Sequence, residues 1–303
     1  MSTRAGSKTG IVTAMALAAL TAGCRKQAGL SDQGQIGAAV GEVMASADES
    51  ANGGTTTAML PALPVLRAPG VLRPPLWRRA VDALALIPSA HAASCLPASY
   101  SACTAGVRTA TFDKCDVGAI TVDGSVNLTF SDAAACNIAT VGDSVNRTAS
   151  LTLSALGGSL AITSPGGGQT LTRTATGFTF AVPGMERVLT LPSGRTLFDI
   201  ATSTAGNLPL TITGSSRSDM VITGGELIVE HKLANYSVTL TPSNLAWTPT
   251  CTCASSGSLT GTVSSSGPDD GKTATVTITG CGTADVTIDG DTESVTLDRC
   301  ATI

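Results

Sequence analysis

The sequence predicts an all-β antiparallel fold, and three observations support this prediction. Aromatic residues make up only 3% of the 303 residues and charged residues 13%, while Thr, Ser, Gly and Ala dominate, which suits pleated strands better than helices with ion pairs. Beyond Ser94, apolar and polar residues alternate with a period of two. Turn signals of the Gly-Gly, Pro-Gly and Asp-Gly type separate the alternating segments. We expect a meander of about ten or more strands, as a sandwich or as a half-barrel or other curved sheet.

The alternating segments place the strands in chain order within a β domain that covers residues 95–303. One face of each strand is expected to pack, while the other is largely Thr and Ser. The Gly-rich segment Gly166 to Gly168 is predicted as a hairpin or loop tip. The apolar positions that define the strands are Val126, Leu128 and Phe130, then Leu151 and Leu153, Leu160 and Ile162, Phe178, Phe180 and Val182, Leu210 and Ile212, Leu227, Val229 and Leu233, Tyr236, Val238 and Leu240, Val276 and Ile278, and Val286 and Ile288.

The N-terminus has the order of a secretory signal. Arg4 and Lys8 precede the apolar run IVTAMALAAL, which is too short to span a membrane. The TAGC that follows resembles the lipobox of bacterial lipoproteins, although Leu20 stands one place before the usual position. The resemblance implies a signal peptide over residues 1–23 and a fatty-acylated Cys24 (palmitate chemistry) that anchors the protein in the membrane. Arg25, which stands where Asp would retain the protein at the inner membrane, implies the outer membrane. Ordinary cleavage that leaves Cys24 unmodified is the alternative.

Residues 24–94 are predicted to form a low-complexity tether that carries one or two short helices. Ile36, Val40 and Val43 to Met44 follow a helical spacing after a candidate cap at Ser31. A second island begins at Trp77, and it is either a further helix or an alternative cleavage signal. We expect these helices to dock weakly on the β domain, if they dock at all.

One motif occurs twice, as CDVGAITVDGSVNLTF from Cys115 and CGTADVTIDGDTESVTL from Cys281. Asp-Gly between alternating runs is a strong hairpin signal. We therefore predict hairpin turns at Asp123-Gly124 and Asp289-Gly290, within related units at residues 103–136 and 272–300.

Eight cysteines follow Cys24, and an even number in an exported chain predicts disulfides. Centring the second hairpin on residues 289–292 places Cys281 opposite Cys300, and by analogy we expect Cys115 to pair with Cys136. The sequence does not assign partners to Cys95, Cys103, Cys251 or Cys253.

No pattern of catalytic or metal-binding residues stands out. Cys251 and Cys253 lack the further ligands of a zinc site, and the carboxylates of Asp289, Asp291 and Glu293 fit a solvated hairpin tip better than a calcium loop. His231 shares the parity of a strand, which predicts a half-buried histidine rather than a general base. We expect no cofactor and no metal, and an enzyme only if carboxylates cluster with His231 in one cleft.

The functional prediction is a non-catalytic envelope lipoprotein whose partners are the membrane, through its anchor, and a glycan or protein at the cell surface. The alternative is a carrier that holds a lipid or other hydrophobic ligand in a half-barrel cavity. After residue 79 the chain carries 10 basic and 18 acidic side chains, so it lacks the basic surface that nucleic-acid binding needs.

Overall fold

The computed structural model describes residues 32–51 and 100–302, except 118–119, 156, 207, 298–299 and 301. These residues form one helix and one antiparallel sheet of 14 strands, which confirms the all-β prediction. The elements are α1 (Asp32–Ala51), β1 (Val107–Val117), β2 (Ile120–Phe130), β3 (Ser144–Ala155), β4 (Gly158–Arg173), β5 (Gly177–Thr190), β6 (Thr196–Thr204), β7 (Leu210–Thr213), β8 (Val221–Gly224), β9 (Leu227–His231), β10 (Tyr236–Trp247), β11 (Ala254–Ser265), β12 (Thr273–Gly280), β13 (Thr283–Ile288) and β14 (Asp291–Thr296).

The strands follow one another almost in chain order. The order runs from β1 to β6, then β9 to β14, with β6 beside β9. Two positions in this order, which we call rows, hold two strands end to end. The short β7 continues the row of β6, because both pair with β5 at different residues. The short β8 continues the row of β9, because both pair with β10 at different residues. The sheet thus has twelve rows, and nearly all of its pairings are local hairpins.

One face of this sheet is buried and apolar, while the other faces solvent. In β3, for example, the inward positions from Val145 to Leu153 are buried and their neighbours are not. A single sheet with one apolar face must cover that face, either with itself or with another element. A sheet of twelve rows encloses more space than side chains alone can fill. Helix α1 fills that space.

Helix α1 is the part of the chain that the sequence described least well. Its periodicity is helical, as predicted, but residues 34–48 are all buried, including Glu42 and Asp48. A β-carbon at Gly37 would lie 2.6 Å from Val295 Cγ2, so the helix backbone lies directly against β14. The prediction that this helix docks weakly within a tether is therefore wrong, because the rolled sheet needs it as a core.

Helix α1 runs from one end of the sheet to the other. We call the end of the sheet with turns 191–195, 232–235, 266–272 and 289–290 the upper end, and the end with connections 131–143, 174–176, 214–220 and 281–282 the lower end. Asp48 binds Arg217 in the turn at 214–220, while Asp32 lies beside Tyr236, next to the upper turn at 232–235. The helix therefore enters at the upper end with Asp32 and ends at the lower end.

The two copies of the repeated motif fold differently. Asp289 and Gly290 form the predicted two-residue turn, with φ of 52° and 89°, between Ile288 and its partner Asp291. Gly124 instead lies inside β2, where its φ is 115° and a β-carbon would lie 2.0 Å from the Ser150 carbonyl oxygen. The first hairpin turns earlier, between Val117 and its partner Ile120, so the predicted turn at Asp123-Gly124 is wrong.

The Gly-rich segment Gly166 to Gly168 is also not a hairpin tip. It lies within β4, where the register with β5 shifts between Thr163 and Thr170. A β-carbon at Gly166 would lie 2.5 Å from the Pro183 carbonyl oxygen of β5. The glycines therefore allow the backbones of β4 and β5 to approach closely where the two strands bend. The sequence prediction treated Gly-Gly as a turn signal and did not anticipate this use.

Candidate functional site

The predicted lipidation site lies outside the described residues. Cys24 precedes α1 by eight positions, and Cys95 and His91 fall in the segment between α1 and the sheet. Acylation of Cys24 and the membrane localisation therefore remain predictions from the sequence.

The disulfides of the C-terminal unit contradict the predicted pair. Cys281 is bonded to Cys251 and Cys300 to Cys253, with Cα–Cα distances of 5.7 and 5.2 Å. The prediction centred the hairpin on residues 289–292, whereas Ile288 pairs with Asp291 around a two-residue turn. The shorter turn moves Cys300 out of register with Cys281.

The disulfide predicted for the N-terminal unit is wrong as well. Cys136 is bonded to Cys103, with a Cα–Cα distance of 6.0 Å, and not to Cys115. Cys115 is itself disulfide-bonded, and its partner is not among the described cysteines. The analogy failed because the hairpin turns between β1 and β2, well before the Asp-Gly pair, so Cys115 and Cys136 do not face each other.

The interior around α1 holds the most unusual chemistry of the described chain. Arg217 donates from Nε and Nη2 to the two carboxylate oxygens of Asp48, at 2.6 and 2.7 Å. The Asp48 side chain is 3% exposed and that of Arg217 17%. This hydrogen bonding raises the pKa of Arg217. A bidentate pair in this setting fixes the end of the helix against the turn at 214–220.

A second polar group connects α1 to β3 and β4. Arg147 Nη1 donates to Gln169 Oε1 at 2.9 Å and to Ser46 Oγ at 3.4 Å, and Ser46 in turn donates to Glu42 at 3.3 Å. All four side chains are buried. Buried polar groups of this kind specify one position and one register of the helix. We therefore interpret these hydrogen bonds as the contacts that hold α1 in place inside the sheet.

His231 lies where α1 enters the sheet. Its Nδ1 accepts a hydrogen bond from the Ala234 N–H at 3.2 Å, and its ring is 5.3 Å from that of Tyr236. Burial lowers the pKa of His231, against the opposing charges of Asp32 and Asp199. Burial and the nearby Asp32 carboxylate raise the pKa of Tyr236. His231 lies on the inner face, as its strand parity predicted, but it is buried rather than half-buried, and Leu233, assigned the same parity, is 53% exposed.

The carboxylates near His231 do not form an acid–base pair with it. Lys232 binds Glu186 in a short ion pair and lies 4.0 Å from Asp199. Burial raises the pKa of Asp199, and Lys232 opposes this rise. The His231 side chain is buried, with its Nδ1 occupied by the turn. This geometry holds the β9–β10 turn together.

The pKa of His231 leads to a prediction about pH. Because the folded pKa lies below the ordinary value of about 6.5, the unfolded chain binds the extra proton first. Stability is therefore complete above about pH 6.5 and is lost as pH falls toward the lower folded pKa. In His231→Asn, whose Oδ1 can replace Nδ1 as acceptor, this loss should disappear. Urea midpoints of both proteins between about pH 8 and about pH 5 test this; equal pH slopes would contradict it.

Of the three carboxylates considered for calcium, Asp289 pairs with Lys272. Lys272 Nζ lies 2.8 Å from Asp269 and 3.4 Å from Asp289, and both aspartates are more than half exposed. In the described part of the chain, no three His, Cys, Asp or Glu side chains are placed to hold a metal ion. Among the described residues, no helix is long and apolar enough to cross a membrane.

Comparisons with protein-family models, with curated proteins and with solved structures find no match for this chain. The sequence and the geometry are therefore the grounds for a function. Asp48 and Arg217 are 169 residues apart, so no local spacing in the sequence connects them. A signal for the buried helix was present, since Gly34, Gly37 and Gly41 recur at helical spacing and leave room for close approach.

Proposed function

We propose that this protein is a non-catalytic lipoprotein of the outer membrane, anchored through Cys24, whose β domain binds an envelope glycan on its outer face. The signal-like N-terminal sequence, which ends in TAGC at Cys24, supports lipid attachment at that cysteine. The disulfides support an oxidising compartment, since such bonds persist outside the cytoplasm.

The filled interior argues for the outer face as the binding surface. A carrier needs an apolar cavity of ligand size, but the apolar face of this sheet encloses α1, whose residues 34–48 are buried. A hydrophobic ligand would have to displace a helix that is locked by Asp48 and Arg217. We therefore prefer binding on the outer face to the carrier alternative.

The outer face of β10 to β14 carries hydroxyl groups in register. One row crosses all five strands, and neighbouring rows are also almost entirely Ser and Thr. Hydrogen bonds between neighbours, such as Thr287 Oγ1 to Thr292 Oγ1 at 2.8 Å, orient some of these groups. The complete row is Thr241, Thr260, Thr275, Thr287 and Thr292.

This array carries the glycan part of the proposal. Hydroxyls both donate and accept hydrogen bonds, and a neutral array matches a repeating neutral polymer better than a charged partner. The same row contains no charged side chain, so affinity should depend little on salt.

The anchor is tested by intact mass spectrometry of protein extracted from membranes. We expect a chain that begins at Cys24 and carries two or three acyl chains, and a Cys24→Ala variant that is not retained on the membrane. A wild-type chain without acyl groups would contradict the proposal.

The binding face is tested by removing hydroxyls without changing shape. The variant Thr241→Val, Thr260→Val, Thr275→Val should bind purified envelope polysaccharide or peptidoglycan at least about tenfold more weakly, a change of about 1.4 kcal/mol. Its stability should change little, because Val and Thr are similar in shape and favour strands. The matched control, Thr148→Val, Thr152→Val, Thr163→Val on β3 and β4, should bind like the wild type. Equal binding by both variants would remove the assignment of this face.

A further inference from the structure

The burial of α1 changes how far the β domain can lie from its anchor. If the whole segment before the β domain were a tether, its 71 residues could extend about 250 Å. Since α1 is held inside the sheet from Asp32 onward, only the seven residues 25–31 separate Cys24 from the folded body. The eight steps from Cys24 to Asp32 span at most about 28 Å when the chain is fully extended. The domain is therefore held near the membrane.

The direction of α1 determines which end of the domain is near. Asp48 is fixed at the lower end by Arg217. Asp32 lies close to Tyr236, which directly follows the β9–β10 turn at the upper end. The helix therefore begins at the upper end and finishes at the lower end.

The upper end also presents an apolar side chain that the fold does not use. Leu233, in the β9–β10 turn, is 53% exposed. It follows Lys232, whose charge is paired with Glu186 and Asp199. A leucine beside a neutralised lysine can enter the boundary of a bilayer at little electrostatic cost.

The charges at this end restrict the kind of surface. The turns at 266–272 and 289–290 carry Asp269, Asp270 and Asp289, with Lys272 as the nearby cation. Anionic lipids would repel these turns. A zwitterionic lipid surface, contacted mainly by the β9–β10 turn, fits the distribution best.

We propose that the upper end of the sheet rests on the lipid surface, with Leu233 in contact with it, so that the lower end and the hydroxyl face stand away from the membrane. This placement rests on the anchor proposed above.

The test compares two exposed apolar residues at opposite ends. Leu233 lies at the upper end, and Val141, which is 63% exposed, lies at the lower end, about 40 Å away along a twelve-residue strand. Protein carrying Leu233→Trp or Val141→Trp is purified from membranes and reconstituted into phosphatidylcholine vesicles with brominated acyl chains. The fluorescence of wild-type protein is subtracted. We expect bromine to quench the tryptophan at 233 several-fold more than the one at 141.

The outcomes separate the placement from the anchor. Intact mass of each preparation reports acylation at Cys24. Acylated protein with equal quenching at both positions, or stronger quenching at 141, overturns the placement and leaves the anchor intact. Protein without acyl chains overturns both proposals.

A spacer variant provides the matched control. Inserting 20 flexible Gly and Ser residues between Arg25 and Asp32 gives a linker of about 30 Å root-mean-square length that no longer orients the domain. The difference in quenching between 233 and 141 should then decrease markedly. An unchanged difference would show that the short connection does not impose the orientation, and would overturn that part of the argument.

Discussion

Replacing Arg217 with methionine should lower the free energy of unfolding by about 3 kcal/mol, because it removes the bidentate partner of a buried carboxylate. Asp48 is 3% exposed in its side chain, so water cannot replace the guanidinium. The loss should concentrate at the C-terminal end of α1, where Arg217 binds. Urea denaturation measures the total effect, and hydrogen exchange of the amides at residues 44–48 measures the local one.

Two further variants separate charge from geometry. Arg217→Lys keeps the charge but not the planar fork, so it should fall between the wild type and Arg217→Met. The double variant Asp48→Asn with Arg217→Met should cost less than the sum of the single changes, by about 1 kcal/mol or more. Additive effects, or a loss below about 0.5 kcal/mol for Arg217→Met, would show that the pair does not hold the helix.

The fold class could be predicted because strand alternation is a local property. In β3, for example, the alternation identified Leu151 and Leu153 as inward residues, although the buried Arg147 on the same face breaks the apolar pattern. Strand pairing was also mostly local, since the sheet follows chain order except at β7 and β8. The way the sheet surrounds α1 was not predictable, because it depends on how the twelve rows of strands together cover one apolar face.

The role of α1 could not be derived from its own sequence. Glu42 and Asp48 suggest a solvent-exposed face. In the fold, Ser46, which also binds Arg147 of β3, donates to Glu42, and Arg217 of the turn at 214–220 binds Asp48. The spacing of Gly37 and Gly41 indicated close packing but not its partner. The burial of a helix that carries charged residues can be predicted only when the cavity that receives it is known.

The disulfide pairing was predicted wrongly because the length of one hairpin turn was wrong. Two extra residues in the assumed turn were enough to place Cys281 opposite Cys300. In the fold, Cys251 bridges to Thr302 in antiparallel fashion. That register brings Cys253 opposite Cys300, and it involves segments that no local motif connects.

Among the three disulfides between described cysteines, removing Cys253–Cys300 should have the largest effect. Its sequence separation is 47, for which the chain-entropy model gives about 4 kcal/mol. Both sulfurs also lie about 4 Å from the Gly41 carbonyl oxygen, at 3.9 and 4.0 Å, so the bond packs on α1. The double variant Cys253→Ala, Cys300→Ala should therefore lose about 5 kcal/mol, the cross-link plus about 1 kcal/mol of packing.

The Cys103–Cys136 disulfide is the matched control, because its separation of 33 predicts nearly the same entropic contribution and Cys103 is near the surface. Cys103→Ala, Cys136→Ala should lose about 4 kcal/mol without loosening α1. The pairing itself is tested by Cys300→Ala, whose new free thiol should be alkylated at Cys253. Alkylation at Cys281 would restore the pair expected from sequence spacing, and equal losses in the two double variants would show that the Cys253–Cys300 bond does not support the helix.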